Sequence, residues 1–269
     1  MNFLLLFILG IFASMSLYAK PLVFGVVPQQ SPLELIKAWK PLSDYLEKET
    51  GEKIVLKIER SIPEFEKNLY QGNYDFAYMN PTHYVIAHQK KGYLAKVRDK
   101  KNLVGILVVR KDSGLTDIAN MKGKRFLFPA PGAFAATMIN KYELLVEHHI
   151  NIESDENFRY VNSHDSVYKG VARGIGEIGG GIERTFNDLN DEETKSSLII
   201  VRKTKPYPSH PFAFNPTLPK ETQQKITQAL LKTPDALLIA LSMKHLVEIQ
   251  HSEYSSIQTM MKLLPDAKK

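Results

Sequence analysis

Short apolar runs alternate along this chain with segments in which apolar residues recur every three or four positions. Three runs in the first part of the chain are typical of buried strands, at residues 22–27, 54–58 and 74–78. Between the first two, Leu35 and Trp39 lie at helical spacing. Because alternating strands and amphipathic helices are characteristic of α/β architecture, this part predicts a sheet covered by helices.

The same start signal marks two of the predicted helices. Residues 31–34 (Ser-Pro-Leu-Glu) and 61–64 (Ser-Ile-Pro-Glu) each place a serine three positions before a glutamate, which is the capping-box pattern. A proline early in the first turn suits a helix as well. These signals predict helices that end near Gly51 and Gly72, and Asn80 marks a third helix start.

A second α/β series follows Gly123. Its predicted strands are residues 125–128, 158–161 and 177–179, and its predicted helices are 132–149 and 164–173. The β-rich runs 103–110 and 198–202 flank this series, and we interpret them as segments that cross between two lobes. The remainder is predicted to be helical, at residues 220–232, 234–248 and 253–264.

These patterns predict an α/β protein of two lobes, joined by two crossing segments, with a ligand cleft between them. The first lobe comprises residues 20–106, and residues 204–269 return to it and add its C-terminal helices. The second lobe comprises residues 107–203.

The first residues have the features of a secretory signal peptide. An apolar run extends from Phe3 to Ala13, and Leu17-Tyr18-Ala19 has the form of a cleavage site. We expect residues 1–19 to be removed and the mature protein to be periplasmic, with an uncleaved membrane anchor as the alternative. The chain has no cysteine, which excludes disulfides, a thiolate nucleophile and a lipoprotein anchor.

Composition narrows the class of partner. A hydrophobic content of 43% and a charged content of 24% describe an ordinary globular protein, and the net charge of +6 favours anionic partners. Nucleic acid is not expected, because the lysines are scattered and no aromatic residues are interleaved with them. We expect no cofactor and a monomer.

Four strand-to-helix junctions carry polar side chains that could face one cleft. Ligands of such sheets bind beyond the carboxyl ends of strands, where helix N-termini present unpaired N–H groups. The candidate ligand-binding residues at these junctions are Gln29, Gln30, Asn80, Thr82, His83, Ala133, Phe134, Thr137, Ser163, His164, Asp165 and Ser166. Because Ser, Asn and Asp cap helices everywhere, the recurrence of the pattern supports the cleft more than any single residue does.

Three other patterns do not indicate chemistry. The adjacent histidines His148 and His149 point in different directions on a helix and lack a completing carboxylate, so no metal site is expected. The glycines at 179–181 lack a following P-loop lysine, and we interpret them as a close backbone approach. Ser163, His164 and Asp165 are sequence neighbours, which rarely converge as a catalytic triad.

The sequence resembles the phosphate, phosphite and phosphonate-binding proteins of ABC importers from about residue 22 to 264. The resemblance rests on the order and spacing of Phe24-Gly25-Val26-Val27-Pro28, Tyr74-Asp75-Phe76-Ala77-Tyr78, Gly123-Lys124-Arg125, Ser163-His164-Asp165-Ser166 and Pro206-Tyr207-Pro208. It implies the type II periplasmic-binding fold, with the anion held by helix N-termini of the second lobe. It also implies that His164 and Tyr78 line the cleft.

Two departures from that family bear on the ligand. Residues 132–136 (Gly-Ala-Phe-Ala-Ala) replace a Ser/Thr-rich loop, so that only Thr137 and backbone N–H groups remain as donors. Residues 179–181 and the Ser209-His210-Pro211 segment carry no carboxylate to meet an amine, and His210 joins the candidate residues. Each hydrogen bond lost to a charged ligand group costs roughly 1.5–3 kcal/mol, which disfavours an aminophosphonate.

The sequence supports three hypotheses of function. The first is a solute-binding protein that delivers a small oxyanion to an ABC permease, and the second is a periplasmic sensing partner of a membrane signalling protein. The third is an enzyme, which the missing cysteine and the absence of a paired acid and base in the cleft segments disfavour.

Overall fold

The computed structural model describes residues 20–29 and 32–264. The predicted signal peptide, the candidate residue Gln30 and the cap at Ser31 therefore lie outside the described residues. No helix in the described ranges is long and apolar enough to cross a membrane.

Strands and helices alternate through most of the described chain. In chain order the strands are β1 (Leu22–Val26), β2 (Ile54–Ile58), β3 (Phe76–Tyr78), β4 (Leu94–Asp99), β5 (Gly105–Arg110), β6 (Phe126–Phe128), β7 (Phe158–Tyr160), β8 (Ile178–Ile182), β9 (Leu198–Lys203), β10 (Pro211–Phe214) and β11 (Leu246–Glu248). The α-helices are α1 (Pro32–Thr50), α2 (Ile62–Gln71), α3 (Pro81–Lys91), α4 (Asn140–His148), α5 (Ile152–Asp155), α6 (His164–Ala172), α7 (Glu183–Asn187), α8 (Glu192–Ser197), α9 (Lys220–Leu231), α10 (Asp235–Ala240) and α11 (Ser255–Leu263). A π-helix spans Phe134–Ile139, and 3-10 helices span Ile118–Met121 and His251–Tyr254.

The strands form two separate sheets. The first has the order β11-β4-β10-β3-β1-β2, and the second has the order β7-β6-β8-β5-β9. In the first sheet β1 is parallel to β2 and β3, and in the second β6 is parallel to β7 and β8. Since the carboxyl ends of parallel strands share an edge, each sheet presents one edge where several helices begin.

The chain passes between the sheets twice, within residues 100–104 and 204–210. These two passages pair with each other, because Leu103 N donates to Tyr207 O (2.8 Å) and Tyr207 N donates to Leu103 O (2.9 Å). The runs interpreted from sequence as crossings, 103–110 and 198–202, are mostly strands β5 and β9 of the second sheet. We propose that each sheet with its helices is one lobe, as the sequence boundaries imply.

The expectation of a wholly helical remainder was wrong. Residues 234–248 form the short helix α10 and then β11, because Ser242 adopts a left-handed conformation (φ 55°) that ends the helical path. Strand β10 was missed, and so was β4, in which alternating burial is the signature of a half-buried strand. Both β10 and β11 pair with β4, so this missed strand organises one side of the first sheet.

The helix predicted over residues 132–149 begins as a π-helix. The Asn140 amide Nδ2 donates to Ala136 O (3.0 Å) and Ala135 O (3.2 Å), carbonyls within this wider turn. Two glycines let the turn approach the sheet, since a Cβ on Gly105 or Gly180 would lie 2.3 Å from Ala135 O or Ala136 O, respectively. The close backbone approach predicted for residues 179–181 is confirmed.

Apolar clusters cover both faces of each sheet. On one face of the first sheet, Phe24 contacts Trp39 of α1 with ring centroids 6.0 Å apart. On its other face, α2, α3 and α11 pack in a cluster that also contains Phe134 and Met138 of the π-helix. This cluster joins the two sheets, because the π-helix follows a strand of the second sheet.

Candidate functional site

The carboxyl ends of strands from both sheets lie close together, and we refer to the space between them as the cleft. Tyr78 ends β3 at the edge of the first sheet, while α6 starts at His164 beyond β7 of the second. Asn80 Nδ2 lies 3.4 Å from Gly132 O, which brings the start of α3 against the loop that precedes the π-helix. Residues from both sheets therefore line one space.

Tyr78 and His210 form the first-sheet wall of the cleft. Their rings stack with centroids 5.4 Å apart and an interplanar angle of 17°, and Trp39 supports Tyr78 at 4.5 Å. Gln29 Nε2 donates to His210 Nε2 at 3.1 Å, which assigns the ring proton to Nδ1. The stack joins residues more than a hundred positions apart, because β10 pairs with β3.

The ionisation of these two side chains follows from their burial. Burial, together with the charge of Arg184 and the nearby His83, lowers the pKa of His210 to about 3. Burial also raises the pKa of the Tyr78 phenol, although Arg184 partly opposes the rise. At neutral pH the wall therefore offers a neutral imidazole and a protonated phenol, both of which can donate a hydrogen bond to an anion.

The polar atoms at the start of α3 mostly bind one another. Asn80 Oδ1 accepts from His83 N (2.8 Å) and from Thr82 Oγ1 (2.7 Å), which is the N-cap arrangement that the sequence indicated. His83 is buried, and its Nε2 lies 3.0 Å from Glu66 Oε1. Its Nδ1 is buried and has no hydrogen-bond partner in the described ranges.

His164 occupies the first position of α6, across the cleft from Tyr78. Ser163 caps the helix by accepting from Ser166 N (3.1 Å), and its hydroxyl contacts Ser166 Oγ (2.8 Å). Burial and the positive charge of Arg184 lower the pKa of His164 to about 4, and Asp165 acts in the opposite direction. His164 Nδ1 is buried without a partner among the described residues, so a neutral imidazole and the N-terminus of α6 meet here.

The loop that replaces the family's Ser/Thr-rich segment contributes apolar surface. Thr137 is buried, and its hydroxyl donates to Ala130 O at 2.8 Å. Phe134 is also buried, and its ring meets Tyr207 edge-on with centroids 6.2 Å apart. Ala133 is half-buried at the π-helix start, with no side-chain cap. This part of the cleft offers hydrogen bonds mainly through backbone N–H groups.

Sequence reasoning missed Arg184, whose charge acts on both walls of the cleft. Its positive charge lowers the pKa of His164, His210 and Tyr78, residues that belong to different sheets. Arg184 lies in the first turn of α7, directly after β8. The available signal was a cation in the first turn of a helix that follows a glycine-rich strand. Strand-to-helix junctions of this kind carry the other candidate residues.

The sequence candidates thus fall into three groups. The first group has side chains at the cleft, or side chains that contact or act electrostatically on a residue there: Gln29, Tyr78, His83, His164 and His210. Local hydrogen bonds occupy the side-chain oxygens of Asn80, Thr82, Thr137 and Ser163. Asp165 and Ser166 are exposed in the first turn of α6, Phe134 is packed in the core, and Ala133 lies beside it.

Comparisons with known proteins agree with this geometry. The family described as "ABC transporter, phosphonate, periplasmic substrate-binding protein" matches residues 24–254. The Phosphate-import protein PhnD of Mycolicibacterium smegmatis is 21% identical over 227 residues, which cover 78% of this chain and 70% of that protein.

Solved structures extend the likeness to the fold. PhnD1 from Prochlorococcus marinus, in complex with methylphosphonate, has a TM-score of 0.79 at 16% identity and covers 92% of this chain and 99% of its own. A binding protein component of an ABC phosphonate transporter from Pseudomonas aeruginosa has a TM-score of 0.76 at 14% identity, covering 91% and 87%. The type II periplasmic-binding fold expected from the sequence is confirmed.

Proposed function

Because the chain belongs to the phosphonate family of periplasmic substrate-binding proteins of ABC transporters, we propose that its cleft captures a small phosphorus oxyanion such as phosphonate, phosphite or phosphate. Family membership makes a small ligand and a membrane permease its partners and the periplasm its compartment. The proposal concerns which ligand is bound and which residues bind it.

The observation that carries the proposal is that two neutral histidines, the buried His210 and the half-buried His164, come from different sheets and both lie within the field of Arg184. His210 from the first sheet and His164 from the second each have a lowered pKa, so both remain uncharged at neutral pH. A neutral imidazole donates one hydrogen bond. Because it carries no charge, it does not hold a carboxylate side chain that would compete with the ligand. With the Tyr78 hydroxyl and the α6 N-terminus, these groups form donors that converge on an oxyanion.

Binding from both walls would draw the two lobes together. A ligand that contacts His210 and His164 at once binds the closed arrangement more tightly than the open one, and this difference in affinity shifts the population. The paired passages at Leu103 and Tyr207 would serve as the hinge. We further propose that the closed form delivers the anion to the permease without chemical change.

Calorimetric titration of the mature protein with methylphosphonate, phosphite and phosphate tests the ligand class. We expect saturable binding of at least one anion, and no heat of binding with any of them would contradict the proposal. Phosphorus NMR of the recovered ligand tests for catalysis, because an unchanged spectrum after long incubation is expected of a binding protein.

Side-chain variants test the residues. Tyr78→Phe keeps the stack on His210 and removes only the hydroxyl, whereas His164→Ala removes the imidazole. We expect each variant to weaken binding roughly tenfold to a hundredfold, the equivalent of one hydrogen bond to a charged group. Tyr45→Phe and His245→Gln, which change the same residue types far from the cleft, should bind like the wild type.

The N-terminal segment has its own test. We propose that residues 1–19 are cleaved after Ala19, that the mature protein is not a lipoprotein, and that it is a monomer. N-terminal sequencing of protein from a periplasmic extract should begin at Lys20, and sedimentation should give the mass of one chain. Protein recovered in the membrane fraction with Met1 intact would support the anchor instead.

A second candidate function is a sensing partner of a membrane protein. It is favoured by the apolar contact between lobes, since Phe134 lies in the same cluster as Met79 and Tyr84 of the first. Such contacts stabilise the closed arrangement whether or not the anion is bound. Uptake of a radiolabelled anion by cells that lack this protein discriminates, because loss of uptake supports transport and unchanged uptake supports sensing.

A further inference from the structure

The position of Arg184 is set by contacts between α6 and α7. His164 and Tyr168 lie four residues apart on α6 and therefore share one face of the helix. The Tyr168 hydroxyl contacts Thr185 Oγ1 at 2.8 Å and donates to Ile182 O at 3.2 Å. These contacts hold the first turn of α7 against α6, close enough for the charge of Arg184 to act on His164.

Arg184 has no ion-pair partner in the described part of the chain and is solvent exposed. By contrast, Arg202 lies 2.8 Å from the buried carboxylate of Glu143 and is neutralised there. The acidic groups near the cleft do not cancel the charge. Arg184 outweighs Asp165 in its effect on His164 and outweighs Asp99 in its effect on Tyr78.

The exposure of the side chains increases from the bottom of the cleft to its mouth. His210 is 9% exposed and His164 is half-buried, whereas Arg184 is exposed. An oxyanion that binds the two neutral imidazoles would therefore direct its substituent toward the mouth, where Arg184 supplies the positive charge. A cation there attracts a negative substituent and repels an ammonium group.

We propose that Arg184 is a specificity-determining residue that selects the ligand by the charge of its substituent. It favours phosphorus oxyanions that carry a second anionic group and disfavours those that carry an amine. This inference rests on the proposed function, because it concerns the same cleft and the same class of oxyanion.

Three probes of different substituent charge test the inference: phosphonoacetate, methylphosphonate and 2-aminoethylphosphonate. For the wild type we expect affinity to fall in that order, with steps of roughly twofold to fivefold, as for an exposed charge pair. Arg184→Gln should bring the three affinities together, and Arg184→Glu should invert the order of the two charged probes. Raising the salt concentration should compress the wild-type differences, because the interaction is screened.

A matched control is Arg173→Gln, which removes the same charge at the opposite, exposed end of α6. Its order of affinities should equal that of the wild type. If the wild type binds methylphosphonate but Arg184→Glu leaves the order unchanged, the inference is overturned and the proposed function stands. If the wild type binds none of these probes and neither phosphite nor phosphate, the proposed function is overturned, and the inference with it. If it binds only phosphite or phosphate, the inference alone is overturned.

Discussion

The two cleft histidines should make the stability of the unliganded protein fall as the pH drops below neutral. His210 and His164 have folded-state pKa values of about 3 and about 4, against an ordinary value of 6.5. Below pH 6.5 the unfolded chain therefore binds protons that the folded chain excludes. Because the unfolded state binds more protons, the free energy of unfolding rises with pH between the folded and the unfolded pKa values. The stability that the two histidines contribute is therefore lost as the pH falls from 6.5 toward the folded pKa.

The magnitude follows from the slope of 1.36 kcal/mol per pH unit for one proton. The free energy of unfolding falls with this slope for each histidine only below the unfolded-state pKa of about 6.5. Between pH 7 and pH 5 each histidine therefore lowers the free energy of unfolding by about 2 kcal/mol. The two histidines together should cost about 4 kcal/mol over this range if the sites act independently.

Urea unfolding at pH 7, 6 and 5, followed by circular dichroism without ligand, measures this loss. His210→Gln should remove about half of the pH dependence and the double variant with His164→Gln most of it, whatever their stability at pH 7. His245→Gln alters an exposed histidine and should leave the pH dependence as in the wild type. A double variant with the full wild-type slope would refute the assignment of buried, neutral imidazoles.

Two further substitutions, the first with a matched control, test the support around the site. Gly180→Ala should destabilise the protein by several kcal/mol, because its Cβ would lie 2.3 Å from Ala136 O, whereas Gly132→Ala has open space and should be neutral in the same urea assay. Arg202→Met should cost about 3–5 kcal/mol, because it leaves the buried carboxylate of Glu143 without its cation, and a thermal shift of less than a degree would contradict this reading.

Local signals in the sequence predicted the parts of the fold that depend on neighbours along the chain. Ser61 and Asn80 cap the helices that they were expected to cap, since a cap is a contact across three residues, whereas Ser163, a candidate ligand residue, also caps its helix. The missed strands β10 and β11 are different, because each is short and forms by pairing with strands distant in sequence, β10 with β3 and β4 and β11 with β4. Residues 234–248 were therefore taken for one helix.

The candidate site divides in the same way. The sequence by itself predicted that strand-to-helix junctions carry the candidate ligand groups, and its resemblance to the family pointed to Tyr78 and His164. Only the tertiary structure decided that His210 stacks on Tyr78 and that Arg184 acts on both walls, because these relations depend on strand pairing and on contacts between helices. Capping is a short-range interaction encoded in a few adjacent residues, whereas the field within a cleft sums charges that only folding brings together.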